Sequence, residues 1–272
     1  MQDDPRAPTR LIFDIGFNNG DDTAHYLARG FDVVAVEASP ELAEAGRRRF
    51  ADAIAAGRLR LLGVGVGEAP GSATFYINRT EDKWSSFIPE LGQRGGNFSA
   101  VAVPITTMST LFAEYGTPYY VKIDVEGYEW LCLKDLTATP QYVSVEAHRL
   151  EYLALLYAKG YRRFKVVNQN THRGFPTGAS GPVSDTITDW DCLETAAYDW
   201  LHVRLGRPQR SSLAHGWYDF HAQLGGEELA DGFAKSPLRF RRARHAYWRT
   251  RARLSGLVKA LTGYERKRPP PA

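Results

Sequence analysis

The chain has 272 residues, 43% of them hydrophobic and 24% charged, enough to bury one sizeable core and too ordinary a composition for disorder. Its two cysteines, Cys132 and Cys192, stand in unrelated contexts, which excludes a cysteine-rich zinc site and argues against a disulfide framework; both are expected to be small buried apolar side chains. The net charge of +3 conceals a segregation, because residues 235–268 carry twelve basic side chains against Glu265 alone, a net +11 that leaves −8 for the remainder.

The N-terminal arm, residues 1–10, opens on the polar and acidic Met1-Gln2-Asp3-Asp4-Pro5 and not on a basic-then-apolar leader, and no later apolar run reaches the length of a membrane span. A soluble, cytoplasmic protein is expected. Leu11 to Ile15 reads as a strand that breaks into the polar turn Gly16-Phe17-Asn18-Asn19-Gly20 ahead of a helix over 21–29. A strand, turn and helix in that order set backbone N–H groups and a close-approach glycine at the carboxyl edge of a parallel sheet, where α/β proteins bind adenosine-containing ligands. The dinucleotide spacing G-x-G-x-x-G is absent, since the glycine after Gly16 is Gly20, and this favours a smaller adenosine ligand without phosphates over NAD. The second strand, 32–37, ends on Glu37, about twenty residues after the first turn, where an acid holds ribose hydroxyls. The alternative is that Gly16 and Gly20 simply turn the chain.

Ser39-Pro40 marks the start of a helix over 40–56 that Gly57 stops, and a strand follows over 59–66. Residues 72–103 leave this rhythm: Ala73 to Ile77 and Ser99 to Val103 alternate around a polar loop, the pattern of an antiparallel insertion carrying a mobile flap. A helix over 107–115, a strand over 119–124, a helix over 126–135, a strand over 142–146, a helix over 149–159 stopped by Gly160, and a strand over 163–167 complete the alternation. Such alternation is the signature of an α/β fold with a parallel sheet covered on both faces, here one domain over 11–235 with insertions. Residues 168–191 read as a long loop, and Trp217 to Ala222 as the last strand, with Trp190, Trp200 and Trp217 anchoring the core.

Two strand ends concentrate chemistry. Tyr120-Val121-Lys122-Ile123-Asp124-Val125-Glu126-Gly127-Tyr128-Glu129 is an apolar strand ending in charge, with Asp124 at the carboxyl edge and Glu126 opening the next helix; Asp124 as an N-cap is the alternative. Val143 to His148 ends likewise, with Glu146 and His148 on one face by period-two alternation. Asp124, Glu146 and His148 suit a general base with its orienting acids, and the same residue types also suit a hard divalent cation or a helix cap.

These motifs resemble the FkbM family of S-adenosylmethionine-dependent methyltransferases: Phe13 to Gly20, Val36-Glu37-Ala38-Ser39-Pro40, Val103 to Met108, and above all the K-I-D-V-E-G core Lys122 to Gly127. The resemblance covers about residues 10 to 168. It implies a class I methyltransferase (Rossmann-like) fold, a seven-stranded, mostly parallel sheet with an antiparallel last strand and helices on both faces. It further implies S-adenosyl-L-methionine as cofactor, with Asp14, Gly16, Asn18, Asn19, Gly20 and Thr23 cradling its methionine part. Glu37 would bind the ribose, flanked by Ala38 and Ser39, the Gly65-Val66 region would border the adenine, and Asp124 would stand beside the methyl donor. Asp124, Glu146 and His148 are the catalytic set and no metal is assigned. The first turn departs from the usual D-V-G-A-N-x-G form in having Phe17 where alanine is common and Asn19 as a second asparagine.

The expected activity is O-methylation of a small-molecule, sugar or natural-product hydroxyl. Trp84, Ser85, Ser86 and Phe87 of the flap, together with residues 168–191, are candidates for acceptor recognition, and equally for ordinary packing. In the C-terminal segment, 236–272, apolar residues recur at helical spacing among arginines from Arg239 to Leu261. A basic amphipathic helix of this kind can meet an anionic membrane surface, RNA or an anionic acceptor, or dock on the acidic remainder of the protein. A nucleic-acid or membrane-surface binding protein is thus the competing class; an RNA methyltransferase would unite both features, but no N-P-P-Y type motif supports it.

Overall fold

The computed structural model describes residues 9–168, 190, 193, 196, 197, 218–225 and 241–263. In chain order its elements are β1 (Leu11–Ile15), α1 (Asp21–Ala28), β2 (Asp32–Val36), α2 (Pro40–Arg49), α3 (Ala51–Ala55), β3 (Leu59–Leu62), β4 (Gly65–Val66), β5 (Gly71–Asn78), α4 (Pro89–Gly92), β6 (Phe98–Thr106), α5 (Met108–Tyr115), β7 (Tyr120–Ile123), α6 (Glu129–Lys134), β8 (Tyr142–Glu146), α7 (Leu150–Ala158), β9 (Tyr161–Asn168), β10 (Tyr218–Leu224) and α8 (Arg241–Thr262). The seven-stranded sheet has the order β3-β2-β1-β7-β8-β10-β9. Its β1, β2, β3, β7 and β8 pair in parallel, and β10, the last strand among the described residues, is antiparallel to β9.

Two compact units divide the described chain, the first ending at Val145 and the second beginning at Glu146. In the first, Ile12, Phe13, Val33, Val34, Val121 and Val143 are buried, which is why these strands read as continuous apolar runs without alternation. Ile12, Tyr26, Val33, Leu59 and Tyr120 form one core cluster. The insertion builds a separate three-stranded sheet of order β4-β6-β5, in which β5 and β6 are antiparallel from Gly71↔Ile105 to Asn78↔Phe98. Phe75, Ile77 and Val103 form its own small core.

Three elements are split or delayed relative to the sequence reading, each for a local reason. The helix expected over 40–56 is two helices, α2 and α3, because Phe50 leaves helical geometry at φ −113° and packs its ring against Phe17. The strand expected over 59–66 splits after Leu62, and Gly65–Val66 pairs instead with Ile105–Thr106 in the second sheet. The helix expected from residue 126 begins at Glu129, since Glu126 and Gly127 carry φ of 45° and 106°, values no right-handed helix accommodates.

In the second unit, α7 is apolar almost throughout, with Leu153, Ala154 and Leu156 fully buried. Helix α8 packs against it, and Thr250, Leu254 and Val258, four residues apart in turn, are the buried stripe while Arg253 and Lys259 face solvent. Most of residues 168–191, and Cys192, Trp200 and Trp217, lie outside the described residues. Among the described residues no helix is long and apolar enough to cross a membrane.

Candidate functional site

The β1–α1 turn is pinned from two sides. Gly16 and Phe17 both donate their backbone N–H to the Val36 carbonyl, at 3.1 and 3.0 Å, which draws the turn onto the end of β2. Gly16, Asn18 and Gly20 adopt φ of 98°, 50° and 80°, the left-handed region, and the Gly20 N–H closes the turn on the Phe17 carbonyl at 2.9 Å. Asn18 N–H donates to Glu37 Oε2 and Ser39 N–H to Glu37 Oε1, each at 2.7 Å. Glu37 is 7% exposed, and burial pushes its carboxyl from 4.5 up to about 7 against the pull of those two amides. Each oxygen has one N–H partner and keeps acceptor capacity for a further hydroxyl. Ser39 also caps α2 through Leu42 N–H.

Behind the turn, Asp14 and Lys122 face each other directly in the β1–β7 register. The Lys122 ammonium lies 3.4 Å from Asp14, 3.1 Å from Asp22 and 3.6 Å from Asp124, and donates to the Gly16 carbonyl at 3.0 Å. Burial pulls its pKa down, but the charges of Asp14, Asp22 and Asp124 outweigh that and hold it well above its ordinary value. Asp14 is fully buried, and burial raises its carboxyl against the opposing field of Lys122. Thr23 spends its hydroxyl on Asp14 Oδ2 at 2.6 Å. Three carboxylates share one ammonium here, with Glu37 a further acid nearby, so the arrangement favours a cationic ligand. Gly16 also touches the end of β7: a Cβ there would stand 1.8 Å from the Asp124 carbonyl oxygen.

The remaining predicted positions are placed as follows. Asn19 turns away from Glu37, its Oδ1 accepting from Asp21 N–H at the start of α1. Ala38 packs on the Phe75, Ile77 and Val103 cluster beside Phe87. Gly65 and Val66 are buried in β4, where the Phe87 ring closes over Gly65. Asp124, half-buried, hangs from Ile15 through its own N–H at 2.9 Å. In the second unit, Glu146 and His148 form a pair, with Oε1 3.1 Å from Nε2, and the imidazole is the more exposed partner. The structure therefore gathers Asp14, Gly16, Asn18, Thr23, Glu37, Ser39 and Asp124 in the first unit and joins Glu146 to His148 in the second.

The sequence reading passed over Lys122 as a hub, and over Asp22, which is buried at 4% exposure and holds it. The available signal was a lone lysine inside the apolar strand Tyr120 to Ile123, a placement that requires buried acids around it. Ser86, a candidate for acceptor recognition or for ordinary packing, is fully buried and bonded to Glu126 and Ile88.

A search of curated proteins finds no significant match. Among solved structures, the chain is similar to a methyltransferase FkbM from Methylobacillus flagellatus KT, at 18% identity over 51% of this chain with a TM-score of 0.36, and it spans only 33% of that chain. It is also similar to an rRNA methylase from Streptococcus thermophilus, at 12% identity over 80% of this chain and 88% of that one, TM-score 0.34. A geranyl diphosphate methyltransferase in complex with SAM matches at 9% identity over 80% and 79% of the two chains, TM-score 0.38. The model of the methyltransferase FkbM domain matches residues 14–163, from the buried aspartate of β1 into β9 and over more than half of the sequence. The chain belongs to the FkbM methyltransferase family.

Proposed function

We propose that this protein is an S-adenosylmethionine-dependent methyltransferase acting on a hydroxyl of a small molecule, sugar or natural product. The observation that carries the reading is the Glu37 carboxylate, fixed by the amides of Asn18 and Ser39 beside the Gly16–Gly20 turn. That carboxylate suits a vicinal diol, and the acids around Lys122 suit a ligand with a sulfonium and an ammonium.

When bound, S-adenosylmethionine supplies an electrophilic methyl group on a sulfonium. Glu37 would hold the ribose hydroxyls, the Gly16–Gly20 turn would lie along the amino-acid end, and Asp124 would stand at the reacting end of the site. Positioning supplies much of the rate, since well-oriented reactants gain up to roughly 7–11 kcal/mol. His148, paired with Glu146, would take the acceptor hydroxyl's proton as the methyl carbon leaves sulfur for oxygen, a contribution of about 10²–10⁴-fold.

Incubation of the full chain with methyl-labelled S-adenosylmethionine and fractionated host extract, followed by mass spectrometry, tests this. An oxygen-linked methyl on a small hydroxylated product is expected. Label confined to RNA, or no transfer to any fraction by protein that binds the cofactor, would contradict it.

A further inference from the structure

The insertion between β5 and β6 is anchored to the turn that follows Asp124, and the anchor is Ser86. Its Oγ donates to the Glu126 carbonyl at 2.7 Å and accepts from Ile88 N–H at 3.0 Å, while its backbone bonds both ways with Tyr76 of β5 at 2.9 and 3.1 Å. Ser86 is fully buried. Asn78, also buried, ties the rest of the insertion to this point: its N–H donates to Ser85 Oγ, its Nδ2 to the Gly92 and Arg94 carbonyls, and its Oδ1 accepts from Thr80 and Glu81. The flap base is thus a fixed support.

On the other side of the Ser86 bond lies a backbone that needs support. Glu126 has φ 45°, a left-handed conformation a glutamate rarely adopts, and Gly127 follows at φ 106°. A Cβ on Gly127 would stand 2.6 Å from Ile88 Cδ1, and the Tyr128 and Phe87 rings lie 5.5 Å apart. Glu126 is two residues from Asp124, so whatever fixes the Glu126 carbonyl fixes the span carrying the Asp124 carboxylate.

We propose that Ser86 is a positioning residue for Asp124, acting through the Glu126 carbonyl to hold the turn that closes the cofactor site. Its consequence for the cofactor rests on the reading of Asp124 under the proposed function. Its single O–H is spent on the Glu126 carbonyl and the side chain is fully buried, so the hydroxyl serves the framework and not a bound substrate.

The test compares wild type, Ser86→Ala and Ser86→Thr in the full chain by hydrogen–deuterium exchange and by titration with S-adenosylmethionine. In Ser86→Ala, exchange over residues 124–128 is expected to accelerate about 5-fold while residues 16–20 and 78–81 hold their rates, the loss of one internal hydrogen bond. Cofactor affinity is expected to fall about 3- to 10-fold, and Ser86→Thr, which keeps the hydroxyl, to restore both readouts. Unchanged exchange over 124–128, or an equal rise throughout the insertion, would overturn the proposal, as would an affinity loss that threonine leaves uncorrected. Should Ser86→Ala not fold, Ser86→Cys, close in volume and a weaker donor, is read in the same way. If wild type fails to bind S-adenosylmethionine, the cofactor reading falls, and exchange over 124–128 still decides whether Ser86 holds the turn.

Discussion

The Cα of Gly16 lies so close to the Asp124 carbonyl that an added Cβ would sit 1.8 Å from its oxygen, which makes the first glycine of the turn a joint between β1 and β7. The backbone φ of 98° adds a second demand for glycine at the same position. Gly16→Ala is therefore expected to cost at least about 2 kcal/mol, since left-handed strain alone costs of order 1–3. At this chain length that lowers the melting midpoint by roughly 4–8 °C. Calorimetric melting checks it, and a midpoint within a degree of wild type would show that the joint is looser than described.

Lys122 is the shared counter-charge of Asp14, Asp22 and Asp124, at a position with little access to water. Removing one partner of a buried ion pair leaves its counter-charges uncompensated, so Lys122→Met is expected to destabilise the fold by about 3–5 kcal/mol. The loss should be smaller at pH 5 than at pH 8, because the Asp14 carboxyl, raised by burial, takes up a proton more readily once Lys122 is gone. Adding Asp22→Asn should recover part of the loss, a coupling that a double-mutant cycle by chemical denaturation measures.

Glu37 gives the protein a distinctive pH dependence. Its carboxyl rises from 4.5 to about 7 on folding, so between those values the folded state holds a proton that the unfolded state has released. Stability from this group is present below the unfolded value and is lost as pH climbs toward 7, by about 3 kcal/mol at most. Glu37→Gln removes that slope, so its stability relative to wild type should improve from pH 5 to pH 8. Hydroxyls donated to the carboxylate favour its charged form, so cofactor binding near pH 6.5 should release a proton in wild type and none in Glu37→Gln. Calorimetry in buffers of different ionisation enthalpy reads that proton directly.

His148 is paired with Glu146 and partly open to solvent. His148→Ala is expected to slow methyl transfer by about 10²–10⁴-fold while leaving S-adenosylmethionine affinity within a factor of two of wild type, the separation that a general base shows. A transfer rate unchanged from wild type would reduce the pair to a structural contact.

The order of strands and helices is legible in the sequence because the buried parallel strands are continuous apolar runs and their ends carry Gly, Pro or a capping Ser. The Gly16–Gly20 turn and Glu37 are legible for the same reason, since both lie within forty residues and on adjacent strands. Phe17, which departs from the usual alanine, is explained only in three dimensions: its ring fills the space left by the absent side chains of Gly20 and Gly46 and meets Phe50 edge-on at 5.8 Å. Asp22 and Lys122 are a hundred residues apart, so their pairing has no local signature. Glu126-Gly127-Tyr128-Glu129 resembles an acidic first helical turn, and only contact with Ser86 and Ile88 shows why the chain delays its helix to Glu129. The flap serines, whose sequence suits acceptor recognition and packing equally, bind the framework, because polarity alone does not distinguish a ligand from a neighbouring carbonyl.

The central claim is that Glu37 and the amides around it form the ribose end of an S-adenosylmethionine site, and titration calorimetry of wild type against Glu37→Ala tests it most directly. Wild type is expected to bind one equivalent, and the variant, folded as judged by its melting curve, to bind about 10- to 100-fold more weakly, as loss of charge-assisted hydrogen bonds worth about 1.5–3 kcal/mol requires. Equal affinity in the two proteins, or no binding by wild type, would contradict the account.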